Sequence, residues 1–253
     1  MIKSPIIIFT TTFIMFLSIN TNNLNGQTIP LVADLSEHLV AISTGFEGSK
    51  VLLFGSTDGT GDVVIVIRGP TETKKVLSKK KIGPIWINTN EVIVEDIPSF
   101  YRVVSIRSPK DFIPEQILKR YQIGLDNLQF KFKNNKITEE NKKEYEDAIV
   151  RLKMKMGKYQ EDKGNISLLA NKLFRTELLF ESNVPTGTYL VEVYLIRNNE
   201  VISAEIIPLS VSKIGLGAEI YDFAKKVSAA YGLFAIMIAI MAGLFAEAAF
   251  RRI

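Results

Sequence analysis

The sequence contains no cysteine and only one histidine, His38. The lack of cysteine excludes disulfide bonds, cysteine-based zinc sites and thiol chemistry. One imidazole leaves little material for a metal centre or for general acid–base catalysis, so we expect no metal and no cofactor. The chain must therefore be held together by its hydrophobic core, and about 190 residues between two apolar ends are enough to build one.

A large excess of one charge is also missing. The net charge is +4 at pH 7, and the charged residues are spread along the chain. A weak, dispersed positive charge does not indicate nucleic-acid binding, and we expect none.

The N-terminus has the order of a secretory signal. Lys3 precedes an apolar run over residues 5–19, and a polar stretch follows at residues 20–23. The run is shorter than the roughly 20 residues of a membrane span, which favours a signal peptide over residues 1–26. Residues 24–26 lack the small-x-small pattern of cleavage sites, so an uncleaved anchor is the alternative.

A second apolar segment, residues 229–250, carries a single charge, Glu247. A helix of this length covers the roughly 30 Å hydrocarbon core of a bilayer. Tyr231 lies at one boundary, and Arg251 begins a short basic tail over residues 251–253 at the other. The sequence predicts a single-pass protein of the inner membrane, with its main domain periplasmic and this tail cytoplasmic.

Small residues recur every four positions in this segment, at Ala235, Ala239 and Gly243. Such a stripe lets two helices approach closely in lipid, which makes it a candidate docking face; ordinary membrane-helix composition is the alternative. Residues 214–228 place apolar side chains on one helical face and are predicted to form an amphipathic helix on the membrane surface.

The exported region is mainly β with inserted helices. Short β-branched runs separated by turn residues fill positions 27–112, at the spacing of an immunoglobulin-like β-sandwich. Residues 113–171 have helical signals, and residues 172–213 return to strands. We interpret the helices as an insertion into one sandwich, with two separate domains as the alternative.

The clearest helix begins after Thr138, a favourable N-cap. Apolar residues recur from Tyr145 to Tyr159 at helical spacing, so the helix is expected to continue to Gly164. A further short helix is predicted over residues 166–174.

Lysines cluster at 74–75 and at Lys79, Lys80 and Lys81, in what is predicted to be a loop between strands. Clustered lysines near a membrane attract anionic groups, so Lys79–Lys81 are the candidate contact for an anion or a partner. A solvated loop is the alternative. Trp86, the only tryptophan, is predicted to pack in the core.

Nothing in the sequence predicts an enzyme. Ser36, Glu37 and His38 contain the residue types of a catalytic triad, but neighbours in a strand point to opposite faces. The sequence Asp58-Gly59-Thr60-Gly61 fits a tight turn better than a phosphate-binding loop, because no helix follows it.

Several short motifs together resemble the Alph_Pro_TM family of alphaproteobacterial transmembrane proteins. They lie at residues 83–88 (GPIWIN), 97–101 (IPSFY), 172–175 (KLFR), 184–189 (VPTGTY), 230–233 (AYGL) and 250–252 (FRR). The resemblance runs from about residue 29 to the end of the chain. It implies an exported, membrane-anchored protein without an assigned activity. It also implies a link to sulfite-exporter-like permeases. Ile85, where small residues are frequent, and the lysine-rich helices depart from the family pattern.

These observations predict a membrane-anchored periplasmic interaction protein whose partner is a membrane protein, such as an anion permease. The competing hypothesis is a periplasmic receptor that binds an anion or solute through the lysine-rich segment.

Overall fold

The computed structural model describes residues 29–43, 45–133 and 137–251. The predicted signal segment lies outside these residues, as do the side chains of Lys80 and Trp86. Strand accounts for 46% of the chain and helix for 28%, which confirms the prediction of a mainly β protein with inserted helices.

The thirteen strands are β1 (Leu31–Leu35), β2 (Leu39–Ile42), β3 (Gly48–Thr57), β4 (Asp62–Arg68), β5 (Thr71–Ile82), β6 (Ile85–Pro98), β7 (Tyr101–Ser105), β8 (Lys131–Phe132), β9 (Tyr159–Lys163), β10 (Ser167–Leu169), β11 (Leu173–Glu181), β12 (Gly187–Arg197) and β13 (Glu200–Lys213) among the described residues. The helices described are α1 (Glu115–Tyr121), α2 (Glu139–Lys155), α3 (Leu216–Lys226) and α4 (Ser228–Phe250), and two 3-10 turns lie at Pro109–Asp111 and Leu125–Asn127.

Two sheets form the centre of the molecule. Sheet I has the order β1-β3-β11-β10, and sheet II has the order β2-β13-β12-β4-β7-β9. These orders contain the A-B-E-D and G-F-C strand sets of immunoglobulin-like sandwiches. At the start of β12, the hydroxyl of Tyr189 donates a 2.6 Å hydrogen bond to the carbonyl of Pro185, as the tyrosine corner of such domains does.

The centre of sheet II, at β4, is buried on both faces. In β4, Val63, Ile65 and Ile67 face sheet I and belong to the first apolar core, whereas Val64 and Val66 face the opposite way into a second core. The second core is completed by the segment around α1, by α2 and by β6. A strand with two covered faces reads as a continuous apolar run, which explains the sequence VVIVI in β4.

One β-ribbon extends beyond sheet II. The ladder of β4 and β7 ends at the pair Arg68 and Tyr101. Two backbone hydrogen bonds of 2.8 Å, between residues 69–70 and 99–100, carry the pairing across the connection. The ladder of β5 and β6 follows at once, and it ends at the turn 82–85. We call residues 71–98 the arm and residues 79–88 the arm tip.

The lysine-rich segment is therefore a strand, and its prediction as a loop was wrong. β5 contains the whole run from Thr71 to Ile82, and β6 runs without a break from Ile85 to Pro98. Lysine has a low strand propensity, but the ladder with β6 supplies the backbone partners that stabilise the extended form.

The predicted continuation of the long helix to Gly164 was also wrong. α2 ends at Lys155, and Gly157 follows with a φ of +70°. The amide of Gly157 donates to the carbonyl of Met154, and the amide of Lys158 donates to the carbonyl of Lys153, both at 3.0 Å. This pair of bonds is a Schellman C-cap, and it releases the chain into β9.

The short helix predicted at residues 166–174 is not formed either, because its residues pair with other strands. β10 and the first residues of β11 occupy the segment, with Leu169 opposite Leu173. β11 in turn pairs with β3.

The chain leaves sheet II through β13, whose end at Lys213 is followed by α3 and α4. Val227 breaks the helix between them, with φ −135° and ψ 59°. The ring of Phe223 on α3 packs against Tyr231 and Phe234 on α4, with centroids 6.2 and 6.5 Å apart. α4 is long and apolar enough to cross a membrane, and none of its most apolar window is buried against the rest of the protein.

Candidate functional site: the arm, the sheet I groove and the terminal helix

The candidate lysines lie at the arm tip, close to its turn. Lys79 pairs with Asn88, Lys80 with Ile87, and Lys81 with Trp86. Because successive residues of a strand point to opposite faces, Lys79 and Lys81, two positions apart, share one face of the ribbon. Both side chains are exposed.

Lysines nearer the base of the arm are neutralised by neighbouring carboxylates. Lys74 lies 3.1 Å from Glu72, and Lys75 lies 2.8 Å from Glu91. Across the described ranges, neither Lys79 nor Lys81 forms a salt bridge. The positive charge of the arm is therefore concentrated at its tip.

The arm tip is also apolar. Ile82 and Ile85 face each other across the turn and are 53% and 60% exposed, and Ile87 on the same face is exposed as well. Gly83 in the turn has a φ of +62°, which places glycine where two-residue hairpins of type II′ require it. Single exposed isoleucines are common on protein surfaces, but a cluster of them indicates a contact surface.

A second candidate surface is a groove of about 670 Å³ on the outer face of sheet I. Cross-strand pairing brings Val32, Leu173 and Leu169 into one row across the sheet through Ser56. Leu169 is 68% exposed and Leu173 is 52% exposed. Phe54 extends the apolar lining. This groove could not be predicted from the sequence, because its residues come from four strands.

The third candidate is the small-residue stripe of α4. Ala235, Ala239 and Gly243 lie within one uninterrupted helix, where four-residue steps advance only slightly beyond a full turn. Apart from its chain neighbours and the nearby backbone of α4 itself, a methyl group added at Gly243 would meet no described atom within 4 Å. The stripe is thus free to contact another helix.

A buried ion pair inside the second core was also missed. The Nε of Arg68 donates to both carboxylate oxygens of Glu192 at 3.1 Å, and one terminal nitrogen of Arg68 donates to the carbonyl of Tyr121 at 2.6 Å. The hydroxyl of Tyr194 donates to Glu192 at 2.8 Å. A signal was present in the sequence, since each charge lies within or next to an apolar strand.

The same cluster holds the end of α1 on sheet II. The hydroxyl of Tyr101 donates to the carbonyl of Gln122 at 2.7 Å and accepts from the amide of Gly124 at 2.9 Å. Burial raises the pKa of Tyr101, so the hydroxyl stays protonated and keeps donating. These contacts hold the residues that follow α1 against sheet II.

An ion pair at the base of the arm joins it to α2. Lys153 contacts Glu72 and also donates weakly to the carbonyl of Ser99, 3.5 Å away. Burial raises the pKa of Glu72, but the bonds from Lys153 and Lys74 outweigh it, so this pKa lies below its usual value. Burial lowers the pKa of Lys153 against the opposing effect of Glu72.

The side chain of His38 makes an exposed contact, with its Nε2 3.4 Å from a carboxylate oxygen of Asp34. The hydroxyl of Ser36 accepts a hydrogen bond from the amide of Leu52 and does not contact the histidine. Within the described ranges, no three histidine, aspartate or glutamate side chains gather as a metal site would require.

The chain has a weak likeness to a solved structure. A chain from a structure titled "Structural basis of T cell specificity and activation by the bacterial superantigen toxic shock syndrome toxin-1" is 6% identical, with a TM-score of 0.24, over 73% of this chain and 99% of that one. No curated protein matches the chain. A family model described as "Putative transmembrane protein (Alph_Pro_TM)" matches residues 30–252, and the chain accordingly belongs to the Alph_Pro_TM family.

Proposed function

We propose that this protein is a non-enzymatic interaction protein that serves a membrane partner. In this proposal α4 anchors it in the inner membrane, the sheets lie in the periplasm, and the short C-terminal tail is cytoplasmic. The family membership and the length of α4 support membrane anchoring. The N-terminal charge and apolar run support export of the domain.

The observation that carries the interaction function is the apolar groove on sheet I. Monomeric proteins seldom expose contiguous apolar surface unless it contacts something. The groove borders β10, which among the described strands pairs only with β11 and leaves its other edge open. An open edge beside apolar pockets suits an extended apolar segment, which adds backbone hydrogen bonds to the sheet and side chains to the groove.

The partner that fits this proposal is an integral membrane protein with an extended apolar segment on the periplasmic side. A permease of the sulfite-exporter kind is our candidate, because the family resemblance suggests that link. Such a partner would also present transmembrane helices to α4, where Ala235, Ala239 and Gly243 allow close approach.

The test is crosslinked co-purification of the full-length protein with a co-expressed permease of this kind, in mild detergent. Leu173→Gln places a polar group in the groove and should lower the recovered permease several-fold. Leu179→Gln is the matched control, because Leu179 lies in the same strand, is 44% exposed and does not line the groove. Equal recovery with Leu173→Gln and wild type would remove the groove from the proposal. No recovery with wild type would rule out this partner.

The second candidate is an anion or solute receptor that uses Lys79, Lys80 and Lys81. Its support is that Lys79 and Lys81 are exposed and form no salt bridge with any described residue. Small-ligand sites are usually concave and enclose most of the ligand. The exposed end of a ribbon suits a broad surface better than a small anion, so we rank the receptor second.

A further inference from the structure

The base of the arm lies at the end of sheet II from which the chain proceeds to the membrane helix. A methyl group added at Gly187 would lie 2.7 Å from the ring of Pro70, the residue immediately before the arm. Gly187 pairs with Val211, near the end of β13 at Lys213. α3 and α4 follow directly. The arm therefore leaves sheet II at the end that leads into the anchor.

The arm is long, and its described contacts with the second core lie in its lower part. β5 is twelve residues long and β6 is fourteen residues long. Val92 and Val94 are buried in the second core, and Val76 packs against it. Nearer the turn, Leu77, Lys79 and Ile82 are all exposed. The outer half thus stands away from the core of the protein.

The tip carries the two kinds of group that a bilayer surface binds. Ile82, Ile85 and Ile87 are exposed on one face of the tip, and Lys79 and Lys81 are exposed on the opposite face. An apolar surface can enter the boundary between headgroups and acyl chains while lysines contact the anionic phosphates. A small soluble anion would be bound by the lysines alone, and its binding would not explain why the isoleucines are exposed.

We propose that the arm tip binds the anionic surface of the same bilayer that anchors the protein. Ile82 and Ile85 enter the headgroup region, and Lys79 and Lys81 contact lipid phosphates. The anchor holds the tip beside this surface, so a weak contact suffices because its effective concentration is high. The arm then acts as a second point of attachment and fixes the orientation of the domain on the membrane. This inference is independent of the groove partner.

The test uses the lack of cysteine in the chain, which makes single labelling sites available. Ile85→Cys in the full-length protein is labelled with an environment-sensitive fluorophore and reconstituted in nanodiscs that contain phosphatidylglycerol. Lipids with a spin label near the headgroup should quench this fluorophore. Ile202→Cys is the control, because Ile202 is exposed near the opposite end of β13 and its label should not be quenched.

The lysines are tested in the same assay. Lys79→Gln and Lys81→Gln should each lower the ratio of bound to free tip about fivefold, and nanodiscs without anionic lipid should lower it further. Quenching at Ile85→Cys no stronger than at Ile202→Cys would overturn the proposal and favour a protein contact. Quenching that inorganic phosphate abolishes at constant ionic strength would overturn it in favour of a free-anion site.

Discussion

Replacing Glu192 with leucine removes the carboxylate at the centre of the buried polar cluster. The side chains of Glu192 and Arg68 are only 11% and 17% exposed, so water cannot easily replace the lost partner. In the variant, Arg68 keeps its bond to the carbonyl of Tyr121 but loses both bonds to the carboxylate. The hydroxyl of Tyr194 also loses its acceptor.

Breaking a buried ion pair from one side costs about 3–5 kcal/mol, because a charge stays buried without its counterpart. We therefore expect the free energy of unfolding to fall by about 4 kcal/mol. For a protein of this size, the corresponding fall in melting temperature is about 8–16 °C. Glu177→Leu is the control: its carboxylate pairs with Lys50 at 3.2 Å, but both side chains are more than half exposed. Its loss should cost at most about 1 kcal/mol.

The measurement is thermal unfolding of the full-length protein in mild detergent, followed by circular dichroism in the strand region. The double variant Arg68→Met with Glu192→Leu should be less destabilised than the sum of the two single variants, with a coupling of about 2 kcal/mol. The reasoning would be refuted if Glu192→Leu melted within 2 °C of Glu177→Leu. A strictly additive double variant would also count against the pair.

Three further predictions concern topology, the membrane helix and acid stability. A reporter that is active only in the periplasm should work when fused after Val211 and be silent at the C-terminus; the reverse would invert the proposed orientation. Ala239→Leu should reduce co-purification of a membrane partner by holding two helix backbones apart, whereas Ile240→Leu should not; equal recovery would leave α4 only an anchor. The pKa of Glu72 is lowered, so its ion pairs stabilise the fold above the usual value of 4.5 and are lost as the pH falls through the lower folded value. The melting temperature of wild type should therefore fall more than that of Glu72→Gln between pH 6 and pH 3. Parallel plots of melting temperature against pH for the two proteins would contradict this.

Strands with one solvated face could be predicted from the sequence, because their polar and apolar residues alternate between the solvent and the core. In β11, the sequence LFRTELLFE alternates exposed and buried residues along its whole length. β4 was also predicted, from its continuous run of β-branched residues. That run does not say which layers cover it, so the second core between sheet II and the helices could not be foreseen.

The remaining features depend on tertiary pairing. Lys79 and Lys81 favour a loop by local propensity, and only the ladder with β6 makes them a strand. Tyr159 continues the helical spacing of α2, but the left-handed Gly157 ends that helix first. Arg68 and Glu192 lie far apart in sequence, and they meet only because β4 and β12 are neighbours in register. The groove likewise exists only after four strands have assembled.

The parallel pairing of β2 with β13 sets an order on folding. Leu39 lies opposite Ser210, so this contact closes most of the chain into one loop, whereas the ribbon can zip outward from the turn at Gly83. Contacts between residues far apart in the sequence form late. Closing the loop between them costs chain entropy before the new contacts can stabilise the fold. If the domain is exported N-terminus first, as proposed, β2 would stay unpaired until β13 has crossed the translocation channel. Under that topology α4 would still be in the channel, and the domain would complete sheet II as this helix enters the bilayer.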